Sequence, residues 1–527
     1  MRDFERPGRS TAYAEHGMAA TSHPAATLAA LDVLRAGGNA VDAAVAAMAV
    51  HCVVEPGMTG IGGDCFVLLG RPGAEVVALN GSGRAPAAAS ADKMAELGVT
   101  LLDDSIHAVT VPGAVDAWAR LLAAHGSMGL DALLQPAIGY AEHGFLVTPR
   151  VAFDWAGMTA RLARSEAGRA YYLPSDMAPV AGQRVRLPAL AKTLRAIASH
   201  GRDAFYSGEL AEHMVAFLQS LGGLHTVDDF ATAAGAFVTP IKTSYRGLEV
   251  YECPPNGQGV TTLLMLNILE GLELAGLDPE GALRLHLEAE ATRLAMRDRD
   301  AWVADPAQAA VPVERLLDKS YAAGLRALID PERALDMLPA PLGVAHADTV
   351  YLTVVDRDRN VVSFINSVFE GFGSGLVCPE TGVLFHNRGK GFSLDPAHPN
   401  AMAPGKRPLH TIIPALAQKD GLPVLGFGVM GGHYQPVGQT HVLTNLLDFG
   451  QDPQAAMDSP RAFAHQGVLQ VERGVPRASA EGLAERGHRV VPADKPLGGG
   501  QMIMVDHARG VLIGGSDPRK DGLALGY

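Results

Sequence analysis

Thr349-Val-Tyr-Leu-Thr-Val-Val-Asp356 is the stretch on which the reading of this chain turns. A threonine opens an alternating, β-branched run that suits a strand. A short charged turn, Asp356-Arg-Asp-Arg-Asn360, follows, and a second strand runs Val361-Val-Ser-Phe-Ile-Asn-Ser-Val-Phe369. With Asp356–Asn360 as a five-residue loop, Val355 faces Val361, and the register carries back until Thr349 faces Ser367. Side chains directly opposite across an antiparallel pair lie within contact distance. A slip of one residue would turn Ser367 to the other face, so the pairing depends on the loop length. The expectation is that Ser367 hydrogen-bonds and orients the Thr349 hydroxyl.

A hydroxyl at its ordinary pKa is a poor nucleophile and needs a base beside it. A precursor that cuts itself before Thr349 would supply one, because the new α-amino group titrates at about 7.7–8. The second informative stretch is Val424-Leu-Gly-Phe-Gly-Val-Met-Gly-Gly-His-Tyr-Gln-Pro436. It reads as a strand running into Gly431-Gly432, with a helix from Pro436. Glycines at such a junction let backbone N–H groups face a cleft beside a helix N-terminus, a good place to stabilise an oxyanion. Amide hydrolysis passes through a tetrahedral intermediate that needs such donors, and Gly431 and Gly432 are the candidates.

Outward from these stretches, the N-terminal third has clear helix punctuation. One helix starts at Pro24, after Ser22 or His23, and stops near Ala36 at Gly37-Gly38. Asn39 caps the next, whose Val41, Val45, Met48 and Cys52 recur at helical spacing. Gly60-Ile-Gly-Gly-Asp-Cys65 reads as a tight turn feeding a strand over Phe66 to Leu69, and it lacks the spacing of a nucleotide-binding loop. Roughly 115 to 340 reads as mostly helical. There, the charge-rich face of a helix from His286 to Trp302 is expected to be solvated surface or salt-bridged packing. Tyr245 to Cys253 reads as one strand. From Thr349 onward strands are expected to dominate, until a helix over Pro436 to Phe449.

Composition bounds the rest. The 527 residues are 48% hydrophobic, with 60 glycines and only 6% aromatics, which suits a compact α/β enzyme. A formal charge of −13 without a basic tract argues against nucleic acid as a partner. The longest apolar stretch, Ala43 to Val54, is interrupted by His51 and too short for a bilayer, so no membrane association is expected. Met1 to His16 carries charges of both signs without an apolar core, so no secretory signal is seen and a cytoplasmic location is expected. Cys52, Cys65, Cys253 and Cys378 are far apart, and His23, His51, His286, His386, His410 and His433 are scattered. Neither a disulfide framework nor a metal or cofactor is expected.

Taken together, these residues resemble the γ-glutamyltransferase family of N-terminal-nucleophile hydrolases. The likeness is carried by Gly37-Gly-Asn-Ala-Val-Asp-Ala-Ala44, Val111-Pro-Gly-Ala114, Tyr245-Arg-Gly, Ala289-Glu-Ala with Asp298-Arg, and the strand at Thr349. It continues through Phe372-Gly-Ser-Gly375, Pro404-Gly-Lys-Arg-Pro408, Gly431-Gly432 and Ser516-Asp-Pro-Arg519. The resemblance implies a four-layer αββα sandwich and self-cleavage into a large chain, 1–348, and a small chain, 349–527, interleaved in one domain. It puts the nucleophile on Thr349, its orienting hydroxyl on Ser367 and the oxyanion glycines on Gly431 and Gly432.

Substrate recognition departs from the family pattern. The family's carboxylate-gripping arginine falls on Ser82, with Arg84 two residues on. Its hairpin asparagine falls on Phe369, its amine-binding glutamine and aspartate on Arg388 and Gly391, and its paired serines on His410 and Thr411. The segment from Phe392 to Pro404 is too short for the usual lid loop. An arginine in place of acidic amine-binding groups favours a carboxylate over an ammonium, and a lidless site favours water as acyl acceptor. The expectation is a hydrolase of a small carboxylate-bearing amide, oxamate-like, with Arg84, Arg388, His410 and Thr411 lining the substrate site. The alternatives are a γ-glutamyl hydrolase or transferase acting on glutathione, and an unprocessed binding protein without catalysis. Homo-oligomerisation is left open.

Overall fold

The computed structural model describes residues 8–103, 105–335 and 349–527. Asp348, and with it one side of the bond expected to be cut, lies outside the described residues.

Two seven-stranded antiparallel sheets form the centre. In the first, the order is Ala12–Ala14, Val511–Ser516, Gly499–Asp506, Leu422–Met430, Ala415–Lys419, Leu248–Glu252 and Ile241–Tyr245. In the second it is Leu523–Gly526, Met18–Thr21, Val350–Val355, Val361–Ser367, Asp64–Gly70, Val77–Gly81 and Ala236–Val238. Both sheets mix strands from either side of residue 348.

Period-two alternation explains how the layers stack. Along Val350–Val355, Val350, Leu352 and Val354 pack into the helix-side core with Pro24–Arg35 and Ala40–Val54. Tyr351 and Val355 face the opposite way, into the core between the sheets, with Phe66, Ile365, Leu416 and Ile503. The outer face of the first sheet is covered by Gly259–Glu270, Ala282–Trp302 and Gln435–Leu447. The result is the αββα sandwich the sequence implied. The close approach of the two sheets depends on glycine: a Cβ at Gly428 would lie 2.5 Å from the Tyr351 ring across the interface.

Local signals in the first helices hold. His23 Nδ1 accepts from Ala25 N to cap Pro24–Arg35, and Asn39 and Asp42 form a reciprocal capping box on Ala40–Val54. Two readings need correction, and a third is settled between its two alternatives. Tyr245 to Cys253 is not one strand but the turn and second arm of a hairpin, because Arg246 and Gly247 at φ 46 and 81 reverse the chain. Residues 368–414 carry no ladder strand, only the short 3-10 turn Arg388–Gly391 and isolated bridges. The charged helix Ala282–Trp302 is packed inside, with Arg284, His286, Glu288, Glu290, Asp298 and Arg299 all buried. Of the two expectations for its face, salt-bridged packing holds: Arg284 pairs with Glu288 at 2.9 Å and Arg293 with Glu290 at 2.8 Å.

No helix among the described residues is long and apolar enough to cross a membrane.

Candidate active site

The hairpin register is the one the loop length dictates. Val355 pairs with Val361 and Val350 with Asn366, so Thr349 comes opposite Ser367 at the end of the ladder. The loop is held by Asp356, whose Oδ1 accepts from Asp358 N and Asn360 N, each at 3.0 Å. Thr349 Oγ1 lies 3.2 Å from Ser367 Oγ, and Thr349 is only 1% exposed. Ser367 Oγ accepts from Phe369 N at 2.8 Å and from Arg388 Nη2 at 3.2 Å.

Arg388 is the dominant charge of the site. It is 0% exposed, its Nη1 donates to Thr411 Oγ1 at 2.7 Å, and its guanidinium stacks on the Phe369 ring. Among the described residues it has no carboxylate ion-pair partner, and its buried Nε meets no acceptor. A buried cation in that condition is costly unless a ligand completes it. Burial pulls its pKa down to about 9, while the charges of Asp64 and Glu370 pull it back up, so it stays cationic at neutral pH.

Behind Arg388 stands Asp64, which the sequence reading did not single out. Its Oδ1 accepts from Gly83 N at 2.9 Å and Gly113 N at 3.1 Å, and its Oδ2 from His410 Nε2 at 2.9 Å. His386 Nδ1 lies 3.5 Å from the same oxygen. Burial pushes the Asp64 carboxyl up, but His386, His410 and Arg388 more than offset it and hold it at about 2. Burial and the Arg388 charge push His410 down to about 3, so it is neutral and its Nε2–H donates to Asp64. A charged residue heading a wholly buried strand, Asp64–Gly70, was the available signal.

The glycine turn forms as expected. Leu422–Met430 ends at Gly431 with φ 118, Gly432 follows at φ 58, and the helix begins at Gln435 with Pro436 in its first turn. Gln258 fastens the turn: its Nε2 donates to Gly432 O at 2.9 Å and Thr411 O at 2.7 Å, and its Oε1 accepts from Arg299 Nη1. A second neighbour of the nucleophile was also missed. Gln435 Nε2 lies 3.4 Å from Thr349 Oγ1, while Gln435 Oε1 accepts from Ile413 N at 3.0 Å. Its signal was a glutamine opening a helix that is buried from Gln435 through Asn445.

Of the expected site residues, the structure brings together Thr349, Ser367, Arg388 and Thr411. His410 joins only through Asp64; its imidazole is committed there. Arg84 does not join. Its Nη1 donates to Gly405 O at 2.9 Å and stands 3.7 Å from Asp305, and it lines, together with Ser82, a separate cavity of ≈150 Å³. Phe369, Thr411 and His433 instead border a cavity of ≈270 Å³, with Leu101, Phe392 and Lys390 on its walls. Glu370, whose charge also acts on Arg388, is taken by Arg161 at 2.8 Å, Lys390 at 2.9 Å and Asn387 at 2.8 Å.

The histidines are not all scattered in space. His286 Nδ1 and His488 Nε2 come within 2.7 Å, with Glu290 Oε1 3.9 Å from His488 Nε2. Arg293 holds Glu290, and Asp330 O lies 2.8 Å from His286 Nε2, so the group is knit together as a buried polar junction.

Comparison with known proteins shows the family. The family model for gamma-glutamyltranspeptidase matches residues 26–527. A glutathione hydrolase-like YwrD proenzyme of Bacillus subtilis is 39% identical over 97% of this chain and 98% of its own. An oxamate amidohydrolase proenzyme of Klebsiella pneumoniae is 36% identical over 97% of this chain and 98% of its own. The crystal structure of a cephalosporin acylase from Bacillus halodurans superposes with TM-score 0.93 at 42% identity, covering 100% of this chain and 99% of that one.

Proposed function

We propose, from the premise that this chain belongs to the gamma-glutamyltranspeptidase family of N-terminal-nucleophile amidohydrolases, that it hydrolyses a small amide bearing a carboxylate. The observation that carries this reading is Arg388: a buried cation without a carboxylate partner, joined through Ser367 to the Thr349 hydroxyl. A substrate carboxylate would meet a guanidinium whose fork suits it. An α-ammonium group would meet that same cation, with Glu370 already engaged. This disfavours glutathione.

In the precursor, Thr349 Oγ attacks the carbonyl carbon of residue 348. An Oγ–C bond forms, the C–N bond breaks, and the Thr349 nitrogen leaves with the proton as a free amine. Water then cleaves the ester, giving chains 1–348 and 349–527. In turnover the freed amine takes the Thr349 Oγ proton while Oγ adds to the substrate carbonyl, whose oxygen is held by Gly431 and Gly432 N–H groups. The C–N bond breaks, the proton passes to the leaving nitrogen, and water hydrolyses the acyl-enzyme. Arg388 and Thr411 bind the carboxylate. The substrate fits the class of oxamate, with room beyond it in the ≈270 Å³ cavity for a longer acyl group.

The test is intact-mass analysis of the protein beside Thr349→Ala, followed by screening for ammonia or amine release. A chain beginning at Thr349 in the parent and absent from the variant is expected, with turnover of oxamate or a dicarboxylic monoamide. An uncut chain in both, or release of glutamate from glutathione without oxamate turnover, would overturn the reading.

A further inference from the structure

The hydrogen-bond directions around the nucleophile give Gln435 a role. Resting on the reading of Thr349 as nucleophile, we propose that Gln435 is a further catalytic residue. Its side-chain N–H donates to Thr349 Oγ1 and stabilises the negative charge that develops there, in self-cleavage and in turnover.

The orientation of the Gln435 amide is settled by its other contact. A backbone N–H can only donate, and Ile413 N lies 3.0 Å from one end of the amide, so that end is the oxygen. The end 3.4 Å from Thr349 Oγ1 is therefore the nitrogen, which can only donate. Contacts of this kind are often long before substrate is bound and tighten as charge develops.

Ser367 cannot do the complementary job of taking the proton. Its Oγ has two lone pairs, and Phe369 N at 2.8 Å and Arg388 Nη2 at 3.2 Å already donate to them. Thr349 Oγ1 thus sits among hydrogen-bond donors and a buried cation. That environment favours the deprotonated oxygen and leaves acceptance of the proton to a base elsewhere. Burial strengthens the effect, since Gln435 is 0% exposed and Thr349 1%. Gln435 also opens the helix Gln435–Leu447, whose N-terminal dipole has the same sign.

A purely structural Gln435 would exist only to satisfy Ile413 N–H, and two substitutions separate the roles. Gln435→Glu keeps an acceptor oxygen for Ile413 but removes the amide donor, whereas Gln435→Met removes both. The experiment follows the fraction of precursor cut against time by intact mass. It also measures kcat, KM and thermal midpoint of each mature protein from acidic to alkaline pH, with Thr349→Ala in parallel. Both variants are expected to cut themselves at least about 100-fold more slowly and to lose a similar factor in kcat, with KM unchanged. Gln435→Glu is further expected to recover toward acidic pH, where the introduced carboxyl is protonated and can donate. Gln435→Glu with the parent's cleavage rate, kcat and pH profile would overturn the proposal while leaving the Thr349 mechanism standing. Cleavage of Thr349→Ala at the same bond would instead remove that mechanism, and the role of Gln435 with it.

Discussion

The guanidinium carbon of Arg388 lies 4.1 Å from the centroid of the Phe369 ring. The aromatic face supplies part of what a carboxylate would otherwise give a buried cation, and it fixes the plane of the fork while Thr411 and Ser367 take one nitrogen each. The arginine is thus positioned before any ligand arrives.

Replacing it should therefore affect binding more than chemistry. Arg388→Ala is expected to raise KM for a carboxylate-bearing amide by about 10- to 100-fold, or ~1.4–3 kcal/mol. Arg388→Lys should recover part of that, since a point charge attracts a carboxylate without matching its two oxygens. Steady-state kinetics on paired amides with and without the carboxylate checks this: only the charged substrate should lose affinity.

Asp64 is expected to matter for stability. Asp64→Asn weakens two backbone N–H contacts and turns an amide N–H or a weaker acceptor toward His410. The expected loss is about 2–3 kcal/mol, the scale of hydrogen bonds to a buried charge. Denaturant melts would show a lower midpoint at unchanged slope.

Mild acid should destabilise the protein before Asp64 titrates. Burial depresses His410 to about 3, and His23, His225 and His441 to about 4, from 6.5. Each contributes stability that is complete above pH 6.5 and falls away as pH drops toward its folded value, because the unfolded chain takes up the proton first. Asp64, held at about 2 against 3.8, also favours the fold, but its contribution is lost only below pH 3.8. The thermal midpoint should therefore already decline between pH 6.5 and 4, the range set by these histidines. A midpoint that stays flat there would contradict the buried, neutral assignment.

Gly431→Ala is expected to abolish self-cleavage. At φ 118 an L-residue is strained, and its Cβ would lie 3.1 Å from Gly498 Cα. The turn would rotate and its N–H groups would move off the position a tetrahedral oxygen needs, costing about 10²–10³ in rate. Persistence of the uncut chain by intact mass, with retained circular dichroism, is the expected result.

The reach of the sequence is clearest by comparing residues. The Thr349–Ser367 pairing was legible because loop length and period-two alternation are local properties. Gly431-Gly432 was legible because a strand-to-helix turn needs glycine at those angles. Asp64 was not: its importance comes from His410, 346 positions away in the chain. Arg84 and Arg388 look equally suitable as letters, and only the fold sends one to Asp305 and the other to Ser367. Gln435 was hidden because a glutamine has no chemistry of its own until its two ends have partners. For the Ala282–Trp302 helix the letters left solvated surface and salt-bridged packing open, and only the fold, which pairs its charges inside the protein, decides for packing.

The sheets contain one further consequence. Val350–Val355 and Val361–Ser367 lie between Met18–Thr21 and Asp64–Gly70, and Ala415–Lys419 is flanked by Leu248–Glu252. A cut before Thr349 therefore yields two polypeptides that cannot separate without dismantling both sheets. Refolding of the precursor is first order, but reassembly of the cut pair would be a bimolecular encounter between two incomplete chains. Such a cut would act as a ratchet on the life history of the molecule: folding would happen once, as a single chain. Survival of the cut protein would then depend on the rate of unfolding rather than on an equilibrium that can be re-entered.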